Sequence, residues 1–465
     1  MVFIFYHIIS FEVESQLNVH TLLYLSVFVW LNVLTYFYEG FKFQMLVHAL
    51  SHPVLLYSEF ADQPHTKGLS MGFFISFSIM AFTLLMFFSP SDNVIIHGKY
   101  EVGFKEMVLE AKAGSVPLKV SMFYPIDRKV RTFKDSIASR FTNDKYPLWA
   151  PDGEHTVKGL MDSSSFYAWI FQPLQFARID VQKDEELSKD FSQGAQKLPC
   201  MIVSHGAKAH RNFLSGFARE MASQGSLVLC PEHTDESGAC FFDEKNMRMD
   251  TYMSKRNSET DVELWRRRLH SRSEDVGLLL GQIHGKEGTL LGAGEVLDRD
   301  KVVLCGHGFG ACSALDIARR EEERVTHVVA LDPWLLALKD DVARGTVKLQ
   351  QALCVVASEE YHAQVEGFNS WATVRKVFDD SAAEDDMLAL VKKTGHYFQT
   401  DLLSLAPNEF KMFSEENPST EAHEMYELGN KIVVQFLKQT GFAQFYVFKH
   451  SAINALYEES LVKFF

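Results

Sequence analysis

Two long apolar runs open the chain, and after them short apolar strands alternate with amphipathic segments to the end. Residues 19–38 (VHTLLYLSVFVWLNVLTYFY) and 68–88 (GLSMGFFISFSIMAFTLLMFF) contain no Asp, Glu, Lys or Arg. Each matches the roughly twenty residues that a helix needs to cross a hydrocarbon core. Both are therefore expected to be transmembrane helices within a membrane region of residues 1–90. Trp30 and the tyrosines that close the first run add interfacial character. Residues 41–60 are apolar but interrupted by Lys42, His48, His52, Pro53 and Glu59, which suits an interfacial or re-entrant piece. The competing expectation is a buried helical hairpin. A cleavable signal peptide is disfavoured, because the first eighteen residues hold Glu12 and Glu14 but no Lys or Arg. Lys42 and Lys67 on one side and Lys99 and Lys105 on the other leave the orientation open.

From residue 91 to 465 the pattern is that of one α/β domain. Residues 118–124 (LKVSMFY) read as an early strand. The runs 199–203, 226–230, 301–305, 327–331 and 353–357 are almost continuously apolar, as expected of parallel strands buried on both faces. Helical patterns at 212–224, 262–284 and 310–320 lie between them and supply the crossovers of a parallel sheet. A further strand is expected near 371–378 and a final helix at 421–439. The polar stretches 128–145, 235–260 and 414–420 read as surface loops. The predicted architecture is a mostly parallel central sheet flanked by helices, preceded by transmembrane helices.

Composition narrows the functions this architecture can serve. With 46 Lys and Arg against 60 Asp and Glu, the formal charge of -14 argues against nucleic acid as a partner. The six cysteines include no C-x-x-C pair and no metal spacing, so neither a disulfide framework nor zinc is expected and a reducing environment is favoured.

The candidate chemistry begins where the strand KVVLC runs into Gly306-His307-Gly308-Phe309-Gly310 and then a helical ACSALDIARR. In an α/β-hydrolase this sharp strand-to-helix turn is G-x-S-x-G, and its central serine is the nucleophile. Here Gly308 occupies the centre, which relieves backbone strain and removes the attacking oxygen together. Downstream, Asp332 ends the next strand and His396 lies in the loop TGHYF, giving the order elbow, aspartate, histidine that these enzymes use. The small-residue loop 203–209 (VSHGAKA) suits an oxyanion hole, with the main-chain N–H groups of Ala207 and Phe309 as its donors. Cys312 and Ser313 sit in the helix past the elbow, and Cys305 ends the strand toward the core, so all three are poor substitute nucleophiles.

Over residues 97–442 the chain resembles the platelet-activating factor acetylhydrolase family. The likeness is carried by GKYEVG at Gly98, FYP at Phe123, PCMIVSHGAKAHR at Pro199, SQGSLVLCPEHTDESGA at Ser223, GHGFGA at Gly306, ALDPW at Ala330 and GHYFQTD at Gly395. The resemblance implies an α/β-hydrolase fold and removal of short or oxidised acyl groups from the second carbon of glycerophospholipids, without metal or other cofactor. It places the family's nucleophile on Gly308, its aspartate on Asp332, its histidine on His396 and its oxyanion loop on Ala207, where a larger apolar residue is more usual. The expectation is an integral membrane pseudohydrolase whose partners are the lipid bilayer, a phospholipid ligand or a membrane protein complex. The alternatives are an esterase in which Asp332 and His396 activate a water, and a phospholipid esterase in which glycine stands in for a native serine.

Overall fold

The computed structural model describes residues 96–110, 116–128, 146–161, 177–194, 196–243, 248–251, 261–285, 296–363, 367–381, 383–405, 422–443 and 462–465, with isolated positions between them. These fall within one compact unit formed from Ser91–Lys129, Asp144–Ala406 and Phe410–Phe465. The runs 19–38 and 68–88 lie outside the described residues; among the described residues no helix is long and apolar enough to cross a membrane.

In chain order the strands are β1 (Glu101–Leu109), β2 (Leu118–Ile126), β3 (Gln182–Lys183), β4 (Leu198–Ser204), β5 (Leu227–Pro231), the hairpin β6 (Cys240–Asp243) and β7 (Arg248–Thr251), β8 (Leu297–His307), β9 (His327–Leu331), β10 (Ala352–Ser358), β11 (Met387–Val391) and β12 (Val462–Phe464). Apart from the hairpin they form one sheet in the order β12-β11-β10-β9-β8-β4-β5-β2-β1-β3. From β5 to β11 every neighbouring pair is parallel, and β2 joins this block antiparallel to β5.

The central strands alternate between two cores. Met201 and Val203 of β4, Val303 and Cys305 of β8 and Val329 and Leu331 of β9 face one layer. Cys200, Ile202, Val302, Leu304, Val328 and Ala330 face the other. The first layer is closed by α1 (Ser215–Ser223), through Phe217 and Met221, together with the helix Ala422–Gln439. The second is closed by α2 (Val262–His284), through Val276, Leu279 and Ile283, and by α3 (Phe309–Ala318), through Ala311 and Leu315. Burying such a side chain contributes about 2 kcal/mol, which is why these strands carry almost no polar residue. All six cysteines are buried and unbridged.

Two expectations need correction. Residues 371–378 are not a strand: Trp371–Asp379 is a helix, α4, capped by Ser370 accepting from the Thr373 N–H and burying Val374 and Val377 three residues apart. The strand that leads to His396 is β11 instead. The stretch 235–260 is not all surface loop, because Asp235 and Ser237 are buried and β6 and β7 pair within it.

Very close backbone contacts occur where β8 meets α3. A Cβ on Gly310 would lie 2.0 Å from the Ser204 carbonyl oxygen, and one on Gly306 would lie 2.2 Å from the backbone of Gly310. Gly310→Ala is therefore expected to cost about 3 kcal/mol or to prevent folding. Gly277→Ala, in α2 with open space at its Cβ, is expected to raise stability by about 1 kcal/mol. Urea unfolding of the two variants measures both.

Candidate active site

The turn after β8 holds Gly308 at φ 57° and ψ -115°, in the left-handed half of conformational space that strains any residue with a Cβ. Its N–H donates to the Leu331 carbonyl at 3.0 Å, and its own carbonyl accepts from the Trp334 N–H at 3.0 Å. The turn is thereby pinned to the end of β9, which carries Asp332. A Cβ built on Gly308 would sit 3.2 Å from His396 Nε2 and 3.9 Å from Gly206 Cα. The predicted histidine and the predicted oxyanion loop both face the centre of the elbow. The poor substitutes named above stay away from it: Ser313 donates its hydroxyl to the Phe309 carbonyl at 2.9 Å, and Cys305 and Cys312 are fully buried.

His396 Nδ1 donates to Asp332 Oδ2 at 2.9 Å, which leaves Nε2 as the nitrogen that meets the elbow. Asp332 is wholly buried and accepts from the Ser358 N–H at 2.7 Å and the Ser358 hydroxyl at 2.8 Å. A second imidazole reaches it: His362 Nε2 lies 3.0 Å from Asp332 Oδ1, while His362 Nδ1 donates to the Asn369 carbonyl at 2.6 Å. Burial alone would push the Asp332 carboxyl up, but His362 and His396 hold it well below the usual carboxylate range. Burial likewise opposes charge on His362, yet Asp332 and the Asn369 carbonyl outweigh it and raise that ring's pKa. The His362 Nε2 contact is one of proximity to the carboxylate without a hydrogen bond, whereas its Nδ1 bond to the Asn369 carbonyl fixes the ring.

The His396 ring is held from both sides. Tyr361 stacks on it with ring centres 4.0 Å apart, and His307 lies 4.4 Å away on another side while donating from Nε2 to the His396 carbonyl at 2.8 Å. Burial, together with His396, brings the His307 pKa down to about 3, so this ring is neutral.

The oxyanion loop is oriented by its own carbonyls. The Gly206 carbonyl accepts from His205 Nδ1 at 2.8 Å and from the Ala209 N–H at 3.4 Å. In a trans peptide the N–H points opposite to the C=O, so the Ala207 N–H turns away from these donors. Among the described residues neither the Ala207 nor the Phe309 N–H is taken by a hydrogen bond. The strut beneath the loop is Arg272 of α2, fully buried. It donates to the His205 carbonyl at 2.6 Å, to Asp235 Oδ2 at 2.8 Å and to the Ser237 hydroxyl at 2.7 Å, and its guanidinium lies 4.5 Å above the Phe309 ring. Burial pushes the Asp235 carboxyl up, and the Arg272 charge overcomes it to hold that carboxyl well below the usual range. A second serine, histidine and aspartate string lies alongside: Ser204 Oγ is 3.1 Å from His233 Nε2, and His233 Nδ1 is 3.0 Å from Asp275 Oδ2. All three are buried, and the His233 N–H donates to His205 Nε2 at 3.3 Å, so this string braces the loop from below.

The predicted Gly308, Asp332, His396, Ala207 and Phe309 thus converge. Sequence reasoning missed Arg272, Asp235, His362 and Tyr361. Of these only Asp235 carried a signal, the D of the EHTDESG motif. Ligand atoms of His307, Asp332 and His396 lie within 4.8 Å of one another, the only such triad of metal-binding side chains among the described residues. Its fit to a metal is poor, because the two imidazole rings pack against each other 4.4 Å apart at 34° and Asp332 is committed to His396 and Ser358.

A parallel sheet with an elbow after β8, an acid after β9 and a histidine after β11 defines an α/β-hydrolase. The chain is similar in fold to a ferulic acid esterase from Streptomyces cinnamoneus, with a TM-score of 0.56 and 14% identity over 80% of this chain and 98% of that structure. The family model of platelet-activating factor acetylhydrolase, isoform II, matches residues 88–458, and the chain belongs to that family. It is 27% identical over 273 residues to the platelet-activating factor acetylhydrolase of Cavia porcellus, covering 54% of this chain and 59% of that protein. Against the Gallus gallus protein the identity is 28% over 248 residues, 47% of this chain and 58% of the relative. The chain therefore spans somewhat under three fifths of the length of these relatives.

Removing one partner of the Arg272–Asp235 pair strands a buried charge, so Arg272→Met is expected to cost about 3 to 5 kcal/mol in denaturant unfolding. Asp235 and Asp332 both titrate below the unfolded value of about 4. The stability they add is complete above about pH 4 and is lost as the pH falls through their folded values. Thermal melts across the acid range, compared with Asp235→Asn, measure that loss.

Proposed function

We propose that this chain is a membrane-tethered pseudohydrolase of its family, which retains the site for a phospholipid-derived ligand and has lost covalent ester cleavage. The observation that carries the reading is Gly308, at the position to which the resemblance assigns the nucleophile, in a site whose other parts are assembled. Without the serine oxygen no acyl-enzyme forms, and binding with oxyanion stabilisation leaves roughly 10³ to 10⁴ over water. The charge-free runs at 19–38 and 68–88 support the tether and a place in the bilayer, alone or within a membrane protein complex.

A fluorophosphonate probe is expected to leave the full chain unlabelled, whereas Gly308→Ser becomes labelled and hydrolyses a short-acyl phospholipid about 10³-fold faster than the parent. Accommodating that serine asks the His396 ring to yield by a few tenths of an ångström, since its Nε2 is 3.2 Å from the new Cβ. Turnover by the unaltered chain that disappears in His396→Ala would replace this reading with an active esterase using a water activated by Asp332 and His396. Alkaline carbonate is expected to leave the full chain in the membrane pellet and to release a chain lacking residues 1–90; release of the full chain would remove the tether.

A further inference from the structure

Backbone strain in this domain is concentrated at one edge of the sheet. Five described residues other than glycine hold a left-handed φ, and four of them, Lys208, Glu236, Asp332 and Lys393, follow within five residues of the ends of β4, β5, β9 and β11. That is the edge at which the elbow lies, and strain of this kind persists only where the surrounding structure imposes it. Lys208, at φ 62°, stands next to Ala207 in the oxyanion loop. Its N–H donates to the Ser237 carbonyl at 2.8 Å, and the Ser237 hydroxyl is held by Asp235 and Arg272. The buried strut beneath the loop thus enforces a conformation that glycine would adopt freely. A long cationic side chain, half-buried, occupies the position instead.

Gly206 Cα lies 3.9 Å from the Cβ position at 308, and Lys208 is two residues further on, a span of at most about 7 Å. A lysine stem reaches about 6 Å beyond its Cα. In a glycerophospholipid only one carbon and one oxygen separate the second glycerol carbon from phosphorus, so an ester at the elbow holds its phosphate within that reach. The neighbouring arginines are already engaged, Arg211 by Glu232 and Glu106 and Arg272 by Asp235. We propose that Lys208 selects a phosphate-bearing ligand, its ammonium pairing with a phosphate oxygen beside the elbow. The inference rests on the reading of this site as one for a phospholipid-derived ligand, and it names the side chain that recognises the headgroup. The competing role is a surface ion pair with Glu236, the exposed acid that precedes Ser237.

The test is calorimetric titration of the full chain in detergent with hexyl phosphate, hexanol and inorganic phosphate, alongside thermal melts. Hexyl phosphate is expected to bind at least about tenfold more tightly than hexanol, with a preference that shrinks as salt rises. Lys208→Gly is expected to weaken hexyl phosphate about tenfold and leave hexanol unchanged, while raising the melting temperature by about 2 °C as the backbone relaxes. Lys208→Arg keeps the affinity, and Lys208→Ala loses it without the gain in stability. Equal affinity for hexyl phosphate and hexanol, or unchanged hexyl phosphate binding in Lys208→Gly, would overturn the inference. Equal destabilisation by Lys208→Ala and Glu236→Gln would then assign the lysine to the ion pair. Inorganic phosphate binding as tightly as hexyl phosphate would assign the lysine to free phosphate and overturn the lipid source. Fluorophosphonate labelling of the full chain, by contrast, would remove the pseudohydrolase reading and leave the role of Lys208 standing.

Discussion

The site depends on a contact between two backbones with no side chain between them. Gly310 lies so close to the Ser204 carbonyl that a methyl group cannot enter, and Gly306 is as close to Gly310. This contact lets α3 start directly above the ends of β4 and β8, so that its first N–H lies beside the loop leaving β4. The two candidate oxyanion amides come from segments about a hundred residues apart in the chain, and this approach brings those segments together. The same turn, through Gly308 N–H and carbonyl, grips the end of β9 and so fixes Asp332 relative to the elbow. A parallel sheet makes this economical, since every strand of the block from β5 to β11 delivers its following loop to the same edge.

Around that contact the interior holds several buried ionisable groups. Arg272, Asp235, Asp332 and His362 are all nearly inaccessible, and desolvating such groups is costly unless every donor and acceptor is matched. Arg272, Asp235 and Asp332 meet this demand by serving more than one partner each. Arg272 neutralises Asp235, holds the His205 carbonyl and covers the Phe309 ring, which joins three segments of the site through one guanidinium. Asp332 ties β9 to Ser358 at the end of β10 and to both histidines.

Much of this was legible in the sequence, for a physical reason. Strands buried on both faces read as unbroken apolar runs, so β4, β5, β8, β9 and β10 stood out, and the glycine-rich elbow could follow only one of them. Asp332 and His396 were found through their order along the chain. The helix Trp371–Asp379 was misread because its β-branched and aromatic residues suit a strand equally well, and its two buried valines decide the matter only once the packing is known. Arg272 was hidden among Arg266, Arg267 and Arg268, since nothing local distinguishes the arginine that turns inward. His362 was hidden because its partner lies thirty residues earlier, beyond another strand.

The intact framework around Gly308 has to be weighed against what packing alone would preserve. Gly306 and Gly310 are compelled by their contacts whatever stands between them, so their presence says nothing about catalysis. Asp332 is compelled in part: once buried it needs its donors, and His362 and Ser358 would supply several of them without His396. His396 is different, because its side chain is partly open to solvent and its Nε2 faces the elbow rather than any neighbour it must satisfy. Position 308 is different in the opposite sense, because a glycine there relaxes a left-handed backbone that a serine would strain. Stability therefore favours the glycine at 308, and packing of His396 against Asp332, Tyr361 and His307 does not by itself require that Nε2 face the elbow. Relaxation accounts for the first without any function, whereas a partly exposed imidazole aimed at the elbow and packed by Tyr361 and His307 fits a site that meets a ligand.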